Sequence, residues 1–559
     1  MKSIFKEQRV LYFVMLIMGG CGLAYEYTFS KVATDLLGNS VQQWGIIIAV
    51  MMFFMGIGAD LQKHMSDKGL LDKFIISELV LSLLGGAGPL LMIYAYGHIN
   101  SHYIIVQYGL ISIIGLLIGF EIPLLARINE QYSTSLKSNI GAILKMDYIG
   151  ALFGALVWIF ILPKFFTITE TAFVLGLINI LGATFSFICF WKHLKHPKKI
   201  VCILCCGLAL LITGFNNAEH WTSTAEQSLY RDRVVFAETT RYQHIVITES
   251  DNTEIKFYIN GHLQFSERDE FIYHEHLVHP AMSLAESHKN ILVLGGGDGL
   301  AVRELLKYND VEKITLVDLD PKMTELSRTF APLVRLNNNS LNSAKVTIEQ
   351  GSGVTPGNII PIVVADQNSL HLKDEKQVAT VNILNLDAAK FLEKSDGIYD
   401  VVIIDFPDPN AIELAKLYSS VFYHNLKSRL APRGIFVQQS TSPIHAKEAF
   451  LCIGRTMEAS GLAAIPFHDN VPSFGEWGWW IGTKLPARNS VSVQTVGRNL
   501  KARMRTLKSF GEKTKYLTPE LVQSSLVFGK QMLKTHNQDI TTFTNSAVFN
   551  YYIDGWKNE

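Results

Sequence analysis

Five aspartates stand where an α/β protein tends to keep its chemistry. Asp298 interrupts a glycine-rich turn, "ILVLGGGDGL", and Asp318 closes the apolar run "KITLVD". Asp387 follows "TVNILNL", while Asp405 and Asp408 frame the "DFPD" that follows "YDVVII". Glycines such as Gly295 and Gly297 let the backbone approach a ligand, and an acid ending the next strand suits a pair of ribose hydroxyls. That much fits any user of an adenosyl compound, so Asp298 is the residue that narrows the choice. S-Adenosylmethionine carries a carboxylate that a neighbouring acid would repel. Its decarboxylated form ends in a bare ammonium, which the same acid attracts. A site built from Asp298, Asp405 and Asp408 therefore suits two cationic reactants, decarboxylated S-adenosylmethionine and an amine.

Certain elements must hold these acids in place. The order strand, glycine turn, helix over 290–308 is followed by apolar runs that end at Asp318, Asp387 and Asp405, and then by "GIFVQQSTSP". Such runs predict an open, parallel Rossmann-like α/β domain of methyltransferase type over 286–485, with ligands at the switch point. Residues 350–380 read as an insertion in it. Ahead of it, 216–285 predict a small β-strand module, with "HIVITES" and "IKFYING" as a hairpin across "DNTE", and an acidic helix over 267–282. Residues 486–559 read as a helical tail whose basic stretch, Lys501 to Lys515, is a solvated or membrane-facing surface.

The first 215 residues are of another kind. Hydrophobic residues make up 48% of the 559-residue chain, and the excess is concentrated here. Apolar segments at about 10–30, 42–59, 74–96, 103–126, 147–163, 171–191 and 200–215 predict an N-terminal polytopic α-helical membrane domain of seven spans. The last is the shortest. Cys202 and Cys205 fall in it as small apolar fillers. Lysines and arginines crowd alternate loops, which puts the N-terminus in the cytoplasm. Seven crossings then put the catalytic half outside, whereas the expected substrate favours the cytoplasm. Glu26, Glu78 and Glu121 fall in or beside these spans, either pairing with Lys31, Lys73 or Arg127 near helix ends or marking a cation site. With 50 basic and 50 acidic residues the net charge is zero, which argues against a nucleic-acid partner.

The ordered motifs "TRYQHIVI", "GHLQFSERDEFIYHEHLVHPAM", "VLGGGDG", "LVDLDP", "NLDAAKFL" and "VVIIDFPDP" resemble the polyamine aminopropyltransferase (spermidine synthase) family, and most closely its membrane-fused members. The resemblance implies transfer of an aminopropyl group to a diamine such as putrescine, giving spermidine and methylthioadenosine. It implies Asp405 as proton acceptor, and Tyr273, His274, Asp298 and Asp408 as amine-binding residues. On the thioadenosine side it implies Gln243, Gly295, Gly297, Asp318, Asp387 and Ala388. No cofactor or metal is expected, since decarboxylated S-adenosylmethionine is a co-substrate. Expected partners are that compound, the diamine and a lipid bilayer, in a homodimer or homotetramer at the cell (inner) membrane. A membrane polyamine sensor or transporter with a non-catalytic Rossmann half is the alternative.

Some residues depart from the family's pattern. Phe406–Pro407 replace a small polar pair, Ala388 replaces a glycine, and Phe474 stands where a tyrosine hydroxyl is expected. Asp320 reads as an exposed strand-end or cap residue. His244, His276 and His279 read as packing or surface residues, and Trp477, Trp479 and Trp480 as core or as walls of an amine site.

Overall fold

A computed structural model describes residues 4–37, 40–99, 102–132, 136–342, 346–350, 379–486 and 492–556. The chain divides into two compact units, Met1–Ala237 and Glu238–Glu559.

In the first unit the apolar segments become seven helices: α1 (Ile4–Leu37), α2 (Ser40–Leu61), α3 (Leu70–His98), α4 (Tyr103–Glu130), α5 (Leu136–Phe160), α6 (Ile168–Phe190) and α7 (Pro197–Gln227). Seven helices among the described residues are long and apolar enough to cross a membrane, by length and composition. The seventh is not the short segment read from sequence. It runs on through Asn216–Gln227, which the sequence suggested was a polar connection. Side chains in that extension return bonds to its own backbone, Asn217 to the Thr213 carbonyl and Thr224 to that of His220. Small residues set the packing of α1 on α5. A Cβ at Gly20 would lie 3.1 Å from the Gly150 carbonyl oxygen, so the two backbones nearly touch.

The buried carboxylates differ from expectation. Glu78 is buried within α3 and takes the Asn179 amide at 3.2 Å, while Glu121 is buried within α4. Neither pairs with the basic residues suggested for them. Lys31 binds Asp35, Lys73 binds the Ser66 carbonyl, and Arg127 binds Gln62, Met65 and Asp67. Lys31 thus pairs one turn on within α1, while Lys73 and Arg127 bind the connection that follows α2. Cys202 and Cys205 point outward from α7 instead of filling the core.

The second unit holds two sheets. Past β1 (Arg233–Thr239), within which the division falls, the strands β2 (His244–Glu249), β3 (Ile255–Ile259) and β4 (His262–Ser266) pair in chain order, with the expected hairpin between β2 and β3. The larger sheet contains β5 (Asn290–Gly295), β6 (Lys313–Asp318), β7 (Val346–Gln350), β8 (Thr380–Asn385), β9 (Tyr399–Asp405), β10 (Leu430–Gln439), β11 (Leu462–Val471) and β12 (Gly475–Lys484). Its order is β11-β12-β10-β9-β5-β6-β8-β7, parallel from β10 to β7 and antiparallel at β12 and β11. The Val/Ile/Leu runs of β5, β6 and β9 are buried because helices cover both faces. Chain order reverses between β5 and β9, and this is the switch point.

Three strands, β7, β11 and β12, were not anticipated. Of the proposed insertion, 351–378 lie outside the described residues. The helix α8 (Glu270–Leu284) is almost wholly buried, including its three histidines and two glutamates.

Candidate active site

Parallel pairing of β5 with β9 sets Gly295 beside Asp405. The chain then turns through Gly295 and Gly296 at φ +79° and +68°, and a Cβ on Gly295 would run into the Asp405 carbonyl. Only glycine satisfies both demands. A Cβ on Gly296 would lie 3.2 Å from Asp405 Oδ2, so that oxygen faces the loop. The turn leads into α9 (Leu300–Leu305), whose Leu300 amide donates to Asp298 Oδ1 at 2.7 Å.

Helix α8 supplies the opposite side. The Tyr273 hydroxyl donates to Asp405 Oδ1 at 2.5 Å. His274 Nδ1 donates to Glu270 Oε2 at 2.8 Å, and Arg303 of α9 grips the same carboxylate with two nitrogens at 2.8 and 3.0 Å. Burial opposes a charge on His274. The hydrogen bond and charge of Glu270, helped by Asp298 and Asp405, outweigh it and push the imidazole up to about 9. One ring nitrogen of His274 and one oxygen each of Asp298 and Asp405 lie within 4.8 Å of one another. Burial pushes Asp298 up to about 6, against the pull of His274, and raises Asp405 above the ordinary carboxylate value.

Asp408 sits in its own cradle. Thr441 Oγ1 donates to Oδ2 at 3.0 Å and Gln439 Nε2 to Oδ1 at 3.3 Å. Thr441 holds φ at +61°, an uncommon conformation for a β-branched residue, just past the end of β10. Burial pushes Asp408 up to about 6. The unusual Phe406 turns away from this chemistry and packs in the core 5.6 Å from the Phe422 ring.

At the end of β6, Asp318 accepts the Gly297 amide at 3.0 Å and the Asp320 amide at 2.9 Å, and burial pushes it up to about 7. Asp320 caps α10 (Pro321–Thr329) through the Lys322 amide, and takes the Thr240 hydroxyl at 2.8 Å. That bond draws the turn carrying Gln243 toward the end of β6. Asp387 is otherwise engaged. It caps the helix Ala388–Lys394 through two amides and pairs with Lys416 at 2.5 Å, while Ala388 is core. Of the expected site residues, Tyr273, His274, Asp298 and Asp405 come together, Asp318 bonds Gly297 of the same glycine turn, Asp408 sits in its own cradle, and Asp387 bonds none of these among the described residues.

The remaining aromatic and histidine expectations also resolve. His276 stacks on Trp479 at 5.0 Å, His279 binds Glu304 at 2.8 Å, and His244 binds Thr239 at 2.7 Å. Trp480 donates to the Phe450 carbonyl within the core. Trp479 lies 5.8 Å from the Tyr273 ring, and Trp477 packs 4.9 Å from Phe474, itself 6.2 Å from Tyr273, so these two tryptophans stand beside the site. The basic stretch is not simply solvated. Lys515 lies over the Phe271 ring at 4.0 Å, and the amides of 515–517 bind Glu275 of α8. Sequence reasoning missed Glu270, Arg303, Gln439 and Thr441. The last two lie in the quoted "VQQST", where a strand ending next to β9 was the available signal.

Residues 270–356 and 363–494 match the Spermine/spermidine synthase domain. A protein of Leptospira interrogans named polyamine aminopropyltransferase is 36% identical over 98% of this chain and 99% of its own length. One of that name from Oceanobacillus iheyensis is 31% identical over 99% of this chain and 98% of its own. A crystal structure of spermidine synthase with the transition state analogue AdoDATO aligns with a TM-score of 0.41 at 22% identity, covering 54% of this chain and 88% of that one. Near-full-length likeness of this kind, on top of an acid-rich switch point, makes the chain a member of the polyamine aminopropyltransferase family and an enzyme that transfers aminopropyl groups.

Proposed function

We propose that this enzyme moves the aminopropyl group of decarboxylated S-adenosylmethionine to a diamine such as putrescine, releasing methylthioadenosine and forming spermidine. The observation that carries this reading is the acid set Asp298, Asp405 and Asp408 at the switch point, with no carboxylate-binding arginine among its bonds.

A diamine arrives protonated, with an amine pKa near ~10. Asp405, raised by burial, is a better base than an ordinary carboxylate and takes the proton on Oδ2 while Tyr273 holds Oδ1. The freed nitrogen attacks the methylene carbon next to the sulfonium. The new C–N bond forms as the C–S bond breaks, and the electron pair leaves on sulfur as a neutral thioether. Asp318 would take the ribose hydroxyls, Gly295 and Gly297 would admit the thioadenosine, and Asp298 would face the transferred chain's ammonium. Holding two cations in line against mutual repulsion is the main contribution of the acids.

A divalent metal could in principle use the same three atoms of His274, Asp298 and Asp405. His274 Nδ1 is committed to Glu270, whose carboxylate Arg303 also holds, which suits a charged ring hydrogen-bonded in place. An ammonium suits that place better. Gln243 would lie near the thioadenosine. Asp387 and Ala388 would face the adenine side of the thioadenosine, as the resemblance implies.

We read the seven helices as a bilayer-spanning domain in the cell membrane, with the catalytic unit on the cytoplasmic side where its substrate is expected. A homodimer or homotetramer follows from the same resemblance. Incubation of purified enzyme with decarboxylated S-adenosylmethionine and a series of diamines tests the reaction. Methylthioadenosine should appear in step with one triamine, and its absence with every diamine would refute the reading.

A further inference from the structure

The family match ends at residue 494, yet the chain beyond it is built into the second unit. Glu275 of α8 accepts the amides of Lys515, Tyr516 and Leu517 at 2.5, 2.9 and 2.8 Å. Further on, the Thr541 amide donates to Thr456 at 3.0 Å and its carbonyl accepts from Ser420 at 2.9 Å. The helix Ala547–Trp556 then packs Val548, Phe549 and Tyr552 into the core, against the helix Lys447–Ala459 and the turn Ile412–Tyr418. Its Gly555 runs so close to residues 445–446 that a Cβ would lie 2.6 Å from the His445 carbonyl oxygen, and Trp556 stacks on the His445 ring.

This anchored helix brings the Tyr552 hydroxyl to the carboxylate of Asp408. Tyr552 is only 8% exposed. Asp408 therefore has two side-chain donors, Gln439 and Thr441, with the Tyr552 hydroxyl beside them, and Thr441 holds a strained backbone angle to make its bond. Meanwhile Phe474, on the far side of Tyr273, offers no hydroxyl. The polar contacts of the amine end are thus concentrated around Asp408, and one of them comes from a segment outside the matched domain.

We propose that Tyr552 is a positioning residue that fixes Asp408 to receive the far ammonium of the acceptor, so that the C-terminal helix tunes which amine is accepted. This rests on the aminopropyl-transfer reading above. It does not touch the thioadenosine end, and the two can fail separately.

The test compares Tyr552→Phe with the unaltered full-length enzyme, using diamines of three to five carbons. The phenyl ring keeps the packing and removes only the hydroxyl. The expected result is a rise of about tenfold in KM for the preferred diamine, with kcat and the KM for decarboxylated S-adenosylmethionine within about twofold. Discrimination between diamine lengths should shrink. An unchanged amine KM, or equal losses for both substrates, would overturn the proposal. If Tyr552→Phe fails to fold, His445→Ala loosens the same helix at Trp556 without touching Asp408, and must give the same selective rise. Calorimetric titration of diamine in the presence of methylthioadenosine reads the contact without turnover. An enzyme that binds diamine but releases no methylthioadenosine would refute the reaction and still report on Tyr552.

Discussion

The Tyr273 hydroxyl meets Oδ1 of Asp405 at 2.5 Å, while Oδ2 of the same carboxylate faces the glycine loop. One oxygen is held by a neutral donor and the other is left for substrate. Asp405→Asn should lower kcat by about 10²–10⁴-fold, the usual range for a lost general base. Methylthioadenosine binding should stay within a few-fold. Tyr273→Phe should cost about tenfold in kcat, since it releases the carboxylate without removing it. Steady-state release of methylthioadenosine measures both. An Asp405→Asn enzyme retaining a tenth of its turnover would require another base.

Asp318 gives a pH signature. Burial lifts it to about 7, and grasping two ribose hydroxyls requires its ionised form. Below that value the group must first lose a proton, so affinity should weaken about tenfold per pH unit from 7 down to 5. Above 7 it should level off. Calorimetric titration of methylthioadenosine across this range checks the slope. Asp318→Asn should bind weakly at every pH and show no slope.

The buried Glu270, 4% exposed, supports both His274 and Arg303. Glu270→Gln removes the carboxylate that these two cations share, leaving Arg303 with Glu304 and His274 with Asp298 and Asp405, and should destabilise the unit by about 3 kcal/mol. The change has a sign in pH as well. His274 is raised to about 9, so its contribution to stability is complete below the unfolded value near ~6.5 and is lost as pH climbs through 9. Thermal unfolding should show that decline in the unaltered protein and a flatter curve in Glu270→Gln.

Two glycines with the same backbone angle should respond differently to alanine. Gly261 has φ +80° and open space around its absent Cβ, so Gly261→Ala should cost about 1 kcal/mol from backbone strain alone. Gly295 has φ +79° and the Asp405 backbone in the way. Gly295→Ala should cost at least about 2 kcal/mol more and abolish methylthioadenosine binding. Equal effects in denaturant unfolding would mean that the β5–β9 approach is looser than it looks.

The parallel core was legible because β5, β6, β8 and β9 are near-continuous apolar runs that end in acids or glycines. The strand β11, "LAAIPFHDNV", carries a proline and a histidine, and β12, "GEWGWWIGTK", is broken by glycines. Neither has the alternation that marks a strand in sequence, and both are stabilised by pairing with each other. Among the acids, residue type and order brought out Asp298, Asp318, Asp405 and Asp408. What sequence could not show is who holds them. Glu270 with Arg303 lies 33 residues apart and Asp408 with Thr441 likewise 33, and only the fold joins such pairs. That Asp387 also caps a helix and pairs with Lys416 was equally hidden, because a strand-end acid and a helix cap look the same in sequence.

The charge on His274 has a thermodynamic consequence for how amines enter. Held between Glu270 and the Asp298–Asp405 pair, the imidazolium is already a resident cation. An incoming ammonium does not fill a bare anionic hole; it competes with a proton for the same electrostatic place. Amine uptake should then be an ion exchange that releases protons at pH 7, which titration in buffers of different ionisation enthalpy would read. Acceptor affinity should accordingly rise between pH 7 and 9, where the imidazole gives up its proton and an amine of pKa near ~10 still keeps its own.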